Sequence, residues 1–164
     1  MSQTIEEHAR RRRVAGQKLT GNRRHFGDPD FVHSIGVMGE KLVCEKLGLP
    51  FDLRDRPSGD KGHDIKVGGI TVDVKTDSYE GENLEMKVER GKVRSDAYIL
   101  VHYDIKTAKL RIVGWEYGIC IKRRPTKSYG YVTMNHFIPA QELRPWIELE
   151  CRIKKVVRKL EAGD

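Results

Sequence analysis

Apolar positions divide the chain into stretches of different period. Residues 1–28 are polar and basic with few large apolar side chains, which predicts a flexible arm, or a helix that orders on its ligand, and no core element. From 31 to 47 the spacing turns helical: Phe31, Ile35, Met38 and Leu42 share one face, Asp30 suits the N-cap, and Gly48 with Pro50 ends the run. Short runs suited to strands follow at 51–54, 64–67, 70–75, 84–88, 97–103 and 110–115. Apolar residues alternate in the third and fourth runs, whereas positions 98–101 are continuously apolar, as expected for a strand covered on both faces. A second helix is predicted over 115–123. A third is predicted over 141–160, interrupted near Pro145, with Leu149, Ile153, Val156, Val157 and Leu160 at helical spacing. Helix, then mostly strands, then helix predicts an α/β fold with a central mixed sheet flanked by helices.

With 164 residues, 38% hydrophobic and 34% charged, the chain fills one core and not two. The expected organisation is a basic arm at 1–28 and a single domain at 29–164 that ends in the C-terminal helix. Lys and Arg outnumber Asp and Glu by 31 to 24, a net charge of +7 that favours polyanionic partners. The charge is clustered: Arg10, Arg11, Arg12 and Arg13 are consecutive, Arg23 and Arg24 follow, and Lys122, Arg123, Arg124 and Lys127 sit in a stretch without acids. These are candidate phosphate contacts, although any one run also reads as solvated surface. Trp115, Tyr117, Tyr129 and Tyr131 flank the last run and suit either base stacking or ordinary packing. Cys44, Cys120 and Cys151 are odd in number and lack metal-ligand or disulfide spacing, and His63, His102 and His136 lack ligand spacing as well. No apolar run is long enough to span a bilayer and no signal-peptide core is present. The expected location is intracellular and reducing, without a membrane partner.

The chemistry concentrates in positions 63–75, HDIKVGGITVDVK. Gly68 and Gly69 suit a two-residue hairpin turn. In that register Val67 faces Ile70, Lys66 faces Thr71, Ile65 faces Val72 and Asp64 faces Asp73, so every apolar residue falls on one side. The other side gathers Asp64, Lys66, Thr71, Asp73 and Lys75. Two carboxylates placed opposite each other destabilise a sheet unless something compensates, and a divalent cation bound by hard oxygen ligands does so most strongly. Glu40 lies opposite the apolar stripe of the first helix, but its helical neighbours Gly36, Val43 and Cys44 are small or apolar. A carboxylate among such neighbours is costly, and a nearby metal site would stabilise it.

An acidic residue on an early helix, then Asp, a hairpin and (D/E)-x-Lys on the next strand resembles the PD-(D/E)XK nucleases, the restriction-endonuclease-like fold. The matching residues are Gly39-Glu40, Gly62-His63-Asp64 and Asp73-Val74-Lys75, and the resemblance covers about 31–115. Archaeal-type Holliday junction resolvases are similar in style, with Ser58-Gly59 and a compact single domain. Two positions depart from the pattern: His63 replaces the proline before Asp64, and Asp73 stands where Glu is commoner, which leaves the number of metals open.

The resemblance implies an Mg²⁺- or Mn²⁺-dependent nuclease acting on DNA, with Asp64, Asp73, Lys75 and Glu40 catalytic. It implies that Asp64, Asp73, Glu40 and the Val74 carbonyl hold the metal. Alternatives are a binding module of the same fold without catalysis and a nuclease that cuts RNA. The cluster itself can also be read as structural ion pairing, with Lys66 and Lys75 balancing the two acids. A homodimer through the C-terminal helix is conceivable, but a helix with one apolar stripe more often docks on its own core.

Overall fold

The structure, a computed structural model, describes residues 29–51, 62–130 and 132–163. The arm at 1–28 with its arginines, the expected strand beyond Phe51, Ser58-Gly59 and Tyr131 lie outside these residues. Gly68 and Gly69 adopt φ of 52° and 83°, the conformation that a tight hairpin turn demands and glycine takes without strain. They join β1 (Ile65–Val67) to β2 (Ile70–Asp77) in the expected register, Val67 opposite Ile70, Lys66 opposite Thr71 and Ile65 opposite Val72. The strand begins at Ile65, one residue later than expected, because Asp64 leaves the ladder.

Beyond the hairpin come β3 (Glu85–Glu89), β4 (Ala97–Asp104), β5 (Lys109–Tyr117), β6 (Thr126–Ser128) and β7 (Met134–Pro139). One sheet runs β1-β2-β4-β5 and is mixed: β2 lies parallel to β4, and the other two pairings are antiparallel. A second sheet, β3-β7-β6, is antiparallel throughout. The helices are α1 (Pro29–Leu47), α2 (Gly118–Ile121) and α3 (Trp146–Ala162). The fold is therefore α/β with a central mixed sheet, joined by a second small sheet that the apolar pattern did not reveal.

The mixed sheet is buried on both faces. Val72, Val74, Ala97, Ile99 and Val101 pack with Val43, Cys44 and Leu47 of α1 and Leu149 and Ile153 of α3. On the other face Tyr98 and Leu100 meet Met86, Val88 and Ile138 of the second sheet, Leu84 just before β3 and Ile121 of α2. Double coverage explains why positions 98–101 lack alternation.

Expectations for each of the three helices need correction. Pro29 opens α1, where its fixed φ and missing N–H cost nothing, so Asp30 is inside the helix and not its cap. The buried face is Ile35, Val37, Val43, Cys44 and Leu47, whereas Phe31 is 37% exposed and Met38 and Leu42 are only half-buried. Glycine sets this rotation: a Cβ added at Gly39 would overlap Thr76 Oγ1, so the bare backbone at 39 lets α1 lie directly on β2. The helix expected over 115–123 shrinks to Gly118–Ile121, because Trp115, Glu116 and Tyr117 are claimed by pairing with Ile99, Tyr98 and Ala97. The C-terminal helix starts only after Pro145, with a 3-10 turn at Ala140–Glu142 before it.

Leu149 and Ile153 of α3 are buried, and Val156 and Val157 pack on the same core, while Leu160 is exposed. The apolar stripe of α3 is thus used within the chain. All three cysteines are free thiols, and no helix among the described residues is long and apolar enough to cross a membrane.

Candidate functional site

Alternation along β2 places Asp73, Lys75 and Asp77 on one face and Val72, Val74 and Thr76 on the other. Because β1 stops at Ile65, opposite Val72, the outer edge of β2 has no strand partner from Val74 onward among the described residues. Asp64 takes over there. Its N–H donates to the Val72 carbonyl at 2.9 Å and its Oδ2 accepts the Val74 N–H at 2.7 Å, so a side chain stands where the next ladder carbonyl would be. The expected head-on pair of Asp64 and Asp73 across the ladder is therefore not formed. The N–H and C=O of one strand residue leave by the same edge, which puts the Val74 carbonyl on Asp64's side of β2.

Four charged groups converge at this edge. Glu40 arrives from α1, carried in by the close approach at Gly39. Burial, Glu40 and Asp73, in that order, push the Asp64 carboxyl well above the usual carboxylate range, against the opposing effects of the Val74 hydrogen bond and Lys75. The Lys75 ammonium lies 2.5 Å from Asp73 Oδ1. Burial pulls its pKa down, but Asp73, Asp64 and Tyr98 outweigh burial and raise it. Cys44, one turn beyond Glu40, is pushed up to about 11 by burial first, then by Glu40 and Asp64. Among the described residues the site thus brings together three acids and one lysine.

The donors are hard oxygens: three carboxylates and a strand carbonyl at one edge, the set that suits Mg²⁺ or Mn²⁺ and not zinc or a soft metal. Their mutual repulsion, which together with burial raises the Asp64 pKa, is what a divalent cation would relieve. Among the described residues no group of three or more His, Cys, Asp or Glu side chains is already closed to ligand distance. The donor chemistry fits such a cation, and the present geometry is that of an open cluster. Lys66, expected on the same side, is exposed, and Thr71 is engaged elsewhere, binding Asp96 Oδ2 through its N–H and hydroxyl at 2.8 and 2.7 Å.

The basic segment after α2 is only partly available. Lys127 donates to Glu85 Oε1 at 2.7 Å and lies over the rings of Tyr129 and Phe137. Arg124 is held by Glu142 at 2.5 Å. Lys122 and Arg123 are exposed and have no ion pair among the described residues. Trp115 is 2% exposed and donates to the Pro145 carbonyl, with the Tyr117 ring edge-on against it, so core packing accounts for both. Tyr129 is tied to Glu85 at 2.6 Å. His102 and His136 are buried, and His63 is half-buried.

Sequence reasoning missed Asp77, which continues the Asp73-x-Lys75 alternation by one step and was readable from that period. It is matched by Lys87 of β3 at 2.8 Å, and Lys87 also lies over the Tyr79 ring. No family model, no curated protein and no solved structure matches this chain, so its resemblance to the PD-(D/E)XK nucleases rests on these residues and their arrangement alone.

Proposed function

We propose that the chain is a metal-dependent nuclease with a restriction-endonuclease-like core, hydrolysing phosphodiester bonds in DNA. One observation carries the reading: Glu40, Asp64, Asp73 and Lys75, from a helix, a bend and one strand, meet at the open edge of β2. Such a gathering of like charge is unfavourable for folding and is the kind of feature kept for chemistry. A divalent cation held by Asp64, Asp73 and the Val74 carbonyl, with Glu40 completing the site directly or through water, would supply Lewis acidity and a water of lowered pKa. Lys75, held as an ammonium, orients the attacking water or neutralises charge growing on the phosphoryl oxygens; Asp73, in ion-pair contact with it, sets where the ammonium sits. Lys122 and Arg123, with the arginines of the arm, supply backbone contacts.

The Asp73–Lys75 ion pair favours a second reading, a nucleic-acid-binding module in which the cluster is structural. The two separate in one experiment: labelled single strand, duplex, flap, four-way junction and RNA incubated with Mg²⁺, Mn²⁺, Ca²⁺ or EDTA. Cleavage of DNA with Mg²⁺ or Mn²⁺ and none with Ca²⁺ or EDTA is expected. Undiminished cutting in EDTA removes the metal mechanism, binding without cutting under every condition leaves the module, and cutting confined to RNA changes the substrate.

A further inference from the structure

A cavity of about 510 Å³ opens where the turn after β3 meets the segment between α2 and β6. Arg90, Lys122, Arg124 and His136 line it together with uncharged neighbours, and none of the lining residues is a carboxylate. Charge accounting narrows what it can hold. Arg124 is already offset by Glu142, whereas Arg90 and Lys122 have no ion pair among the described residues. Two cations are left to serve a ligand. His136 is 8% exposed, and its Nδ1 lies 2.9 Å from the Arg124 carbonyl. A carbonyl only accepts, so Nδ1 carries a proton and the ring is held in one orientation in the cavity wall.

A phosphodiester brings one negative charge, whereas a phosphomonoester brings about −1.5 to −2 at pH 7, which matches the two available cations. The volume lies within the roughly 300–1,000 Å³ of small-ligand sites, so a phosphate fits together with the sugar or base attached to it, and Val93 and Pro125 supply apolar wall for those. The cavity is also tied to the candidate catalytic site through neighbouring residues of the chain. Val93 lines it, and the next two residues pack on the loop that carries Asp64: the Ser95 hydroxyl donates to the Gly62 carbonyl at 2.9 Å, and the Arg94 side chain covers Gly62. Exposed Arg123 stands beside Lys122, where a strand leaving the cavity would meet further positive charge.

We propose that this cavity receives the terminal phosphomonoester of a nucleic-acid strand. The strand, as opposed to a free nucleotide, rests on the nuclease reading; the phosphomonoester does not. The test is fluorescence anisotropy on the full chain in EDTA, with one oligonucleotide sequence bearing a 5′-phosphate, a 3′-phosphate or hydroxyls at both ends, and with AMP as competitor. One phosphorylated strand is expected to bind on the order of tenfold more tightly than the hydroxyl strand, the size expected for charge-assisted hydrogen bonds. Arg90→Ala should remove most of that gain and leave hydroxyl-strand binding and the melting temperature little changed, since Arg90 has no ion pair to lose among the described residues, whereas Lys122→Ala should remove the gain and also weaken hydroxyl-strand binding through its lost backbone contact. Equal affinity for all three strands, or a gain that survives both substitutions, overturns the proposal. AMP binding as tightly as the phosphorylated strand overturns the strand assignment in favour of a nucleotide. Asp73→Asn should keep the gain while cleavage is lost; a gain that persists in a protein that never cleaves any substrate sinks the nuclease reading and upholds the cavity.

Discussion

Asp64 Oδ2 accepts the Val74 N–H at 2.7 Å, so one carboxylate both ends the β1 ladder and stands at the edge where Val74 presents its carbonyl. The two roles respond differently to substitution. Asp64→Asn keeps an oxygen for the Val74 N–H and removes the charge that faces Glu40 and Asp73. Asp64→Ala leaves that N–H without its acceptor, at a cost of about 1–3 kcal/mol. Thermal melts of the metal-free protein at pH 7 should therefore rank Asp64→Asn at or above wild type and Asp64→Ala below it, with cleavage lost in both. A less stable Asp64→Asn would mean that the charge is matched and the repulsion argument fails.

Gly39 controls how close Glu40 comes. Alanine at a helix interior gains about 1 kcal/mol over glycine, but here the new Cβ overlaps Thr76 Oγ1, and overpacking of this kind costs about 1–3 kcal/mol. Gly39→Ala should be neutral to destabilising and should lower activity by moving Glu40 away from β2. Thr76 Oγ1 is buried and has no hydrogen-bond partner among the described residues, so Thr76→Ala costs little on its own. In that background Gly39→Ala should become stabilising. A double-mutant cycle measures the coupling, and additivity of the two changes would show that the helix does not rest on Thr76.

The hairpin and its register were legible because period-two alternation and a Gly-Gly turn agree, and a slip of one residue would expose the whole apolar set. The catalytic candidates followed from that register. What stayed hidden has a physical cause in each case. Asp64 left the ladder because its side chain competes for the Val74 N–H, a contest that periodicity does not register. The face of α1 follows the apolar spacing only in part, at Ile35 and Leu42, because the missing Cβ of Gly39 also decides which side touches β2. In β7 the buried positions are His136 and Ile138, so a polar residue occupies an inward place and the alternation breaks. Lys127 reads as a phosphate contact in the sequence because its partner, Glu85, lies 42 residues away.

That Glu85 is 8% exposed and accepts from Lys127 Nζ and Tyr129 Oη. Burial raises its pKa, but the hydrogen bonds from Lys127 and Tyr129 outweigh burial and hold the carboxyl below its ordinary value. A carboxyl depressed in the folded state stabilises the fold above its unfolded pKa, and that contribution is lost as pH falls through the folded value. Glu85→Gln should therefore destabilise the protein at pH 7, by roughly 1–2 kcal/mol. The deficit relative to wild type should shrink as pH drops below the usual carboxylate range, near 4. Urea melts across pH 3–7 test it, and a deficit that stays constant through that range would show that the charge of Glu85 is not what matters.

Metal linkage separates a catalytic cluster from a structural one. If the acids bind Mg²⁺ in the folded state alone, a hundredfold excess over Kd stabilises by about 2.7 kcal/mol, or roughly 5–10 °C for a chain of this size. The shift should appear in wild type and in Lys75→Ala, since Lys75 is not a ligand, and should be small in Asp64→Asn and Asp73→Asn. Lys75→Ala should nevertheless lose cleavage, and Glu40→Gln should reduce it while keeping part of the Mg²⁺ shift, as befits a group completing the site from α1. Without metal, Asp73→Asn frees Asp64 from one repulsive neighbour and deprives Lys75 of its partner at 2.5 Å, two effects of opposite sign, so its melting temperature should stay near that of wild type. A structural ion-pair cluster predicts otherwise: Asp73→Asn would unfold the metal-free protein, because the Lys75 ammonium would lose the acid that holds it. If that happens and Mg²⁺ shifts none of the five proteins, the acids serve the fold alone and the assignment of an active site at the edge of β2 is wrong.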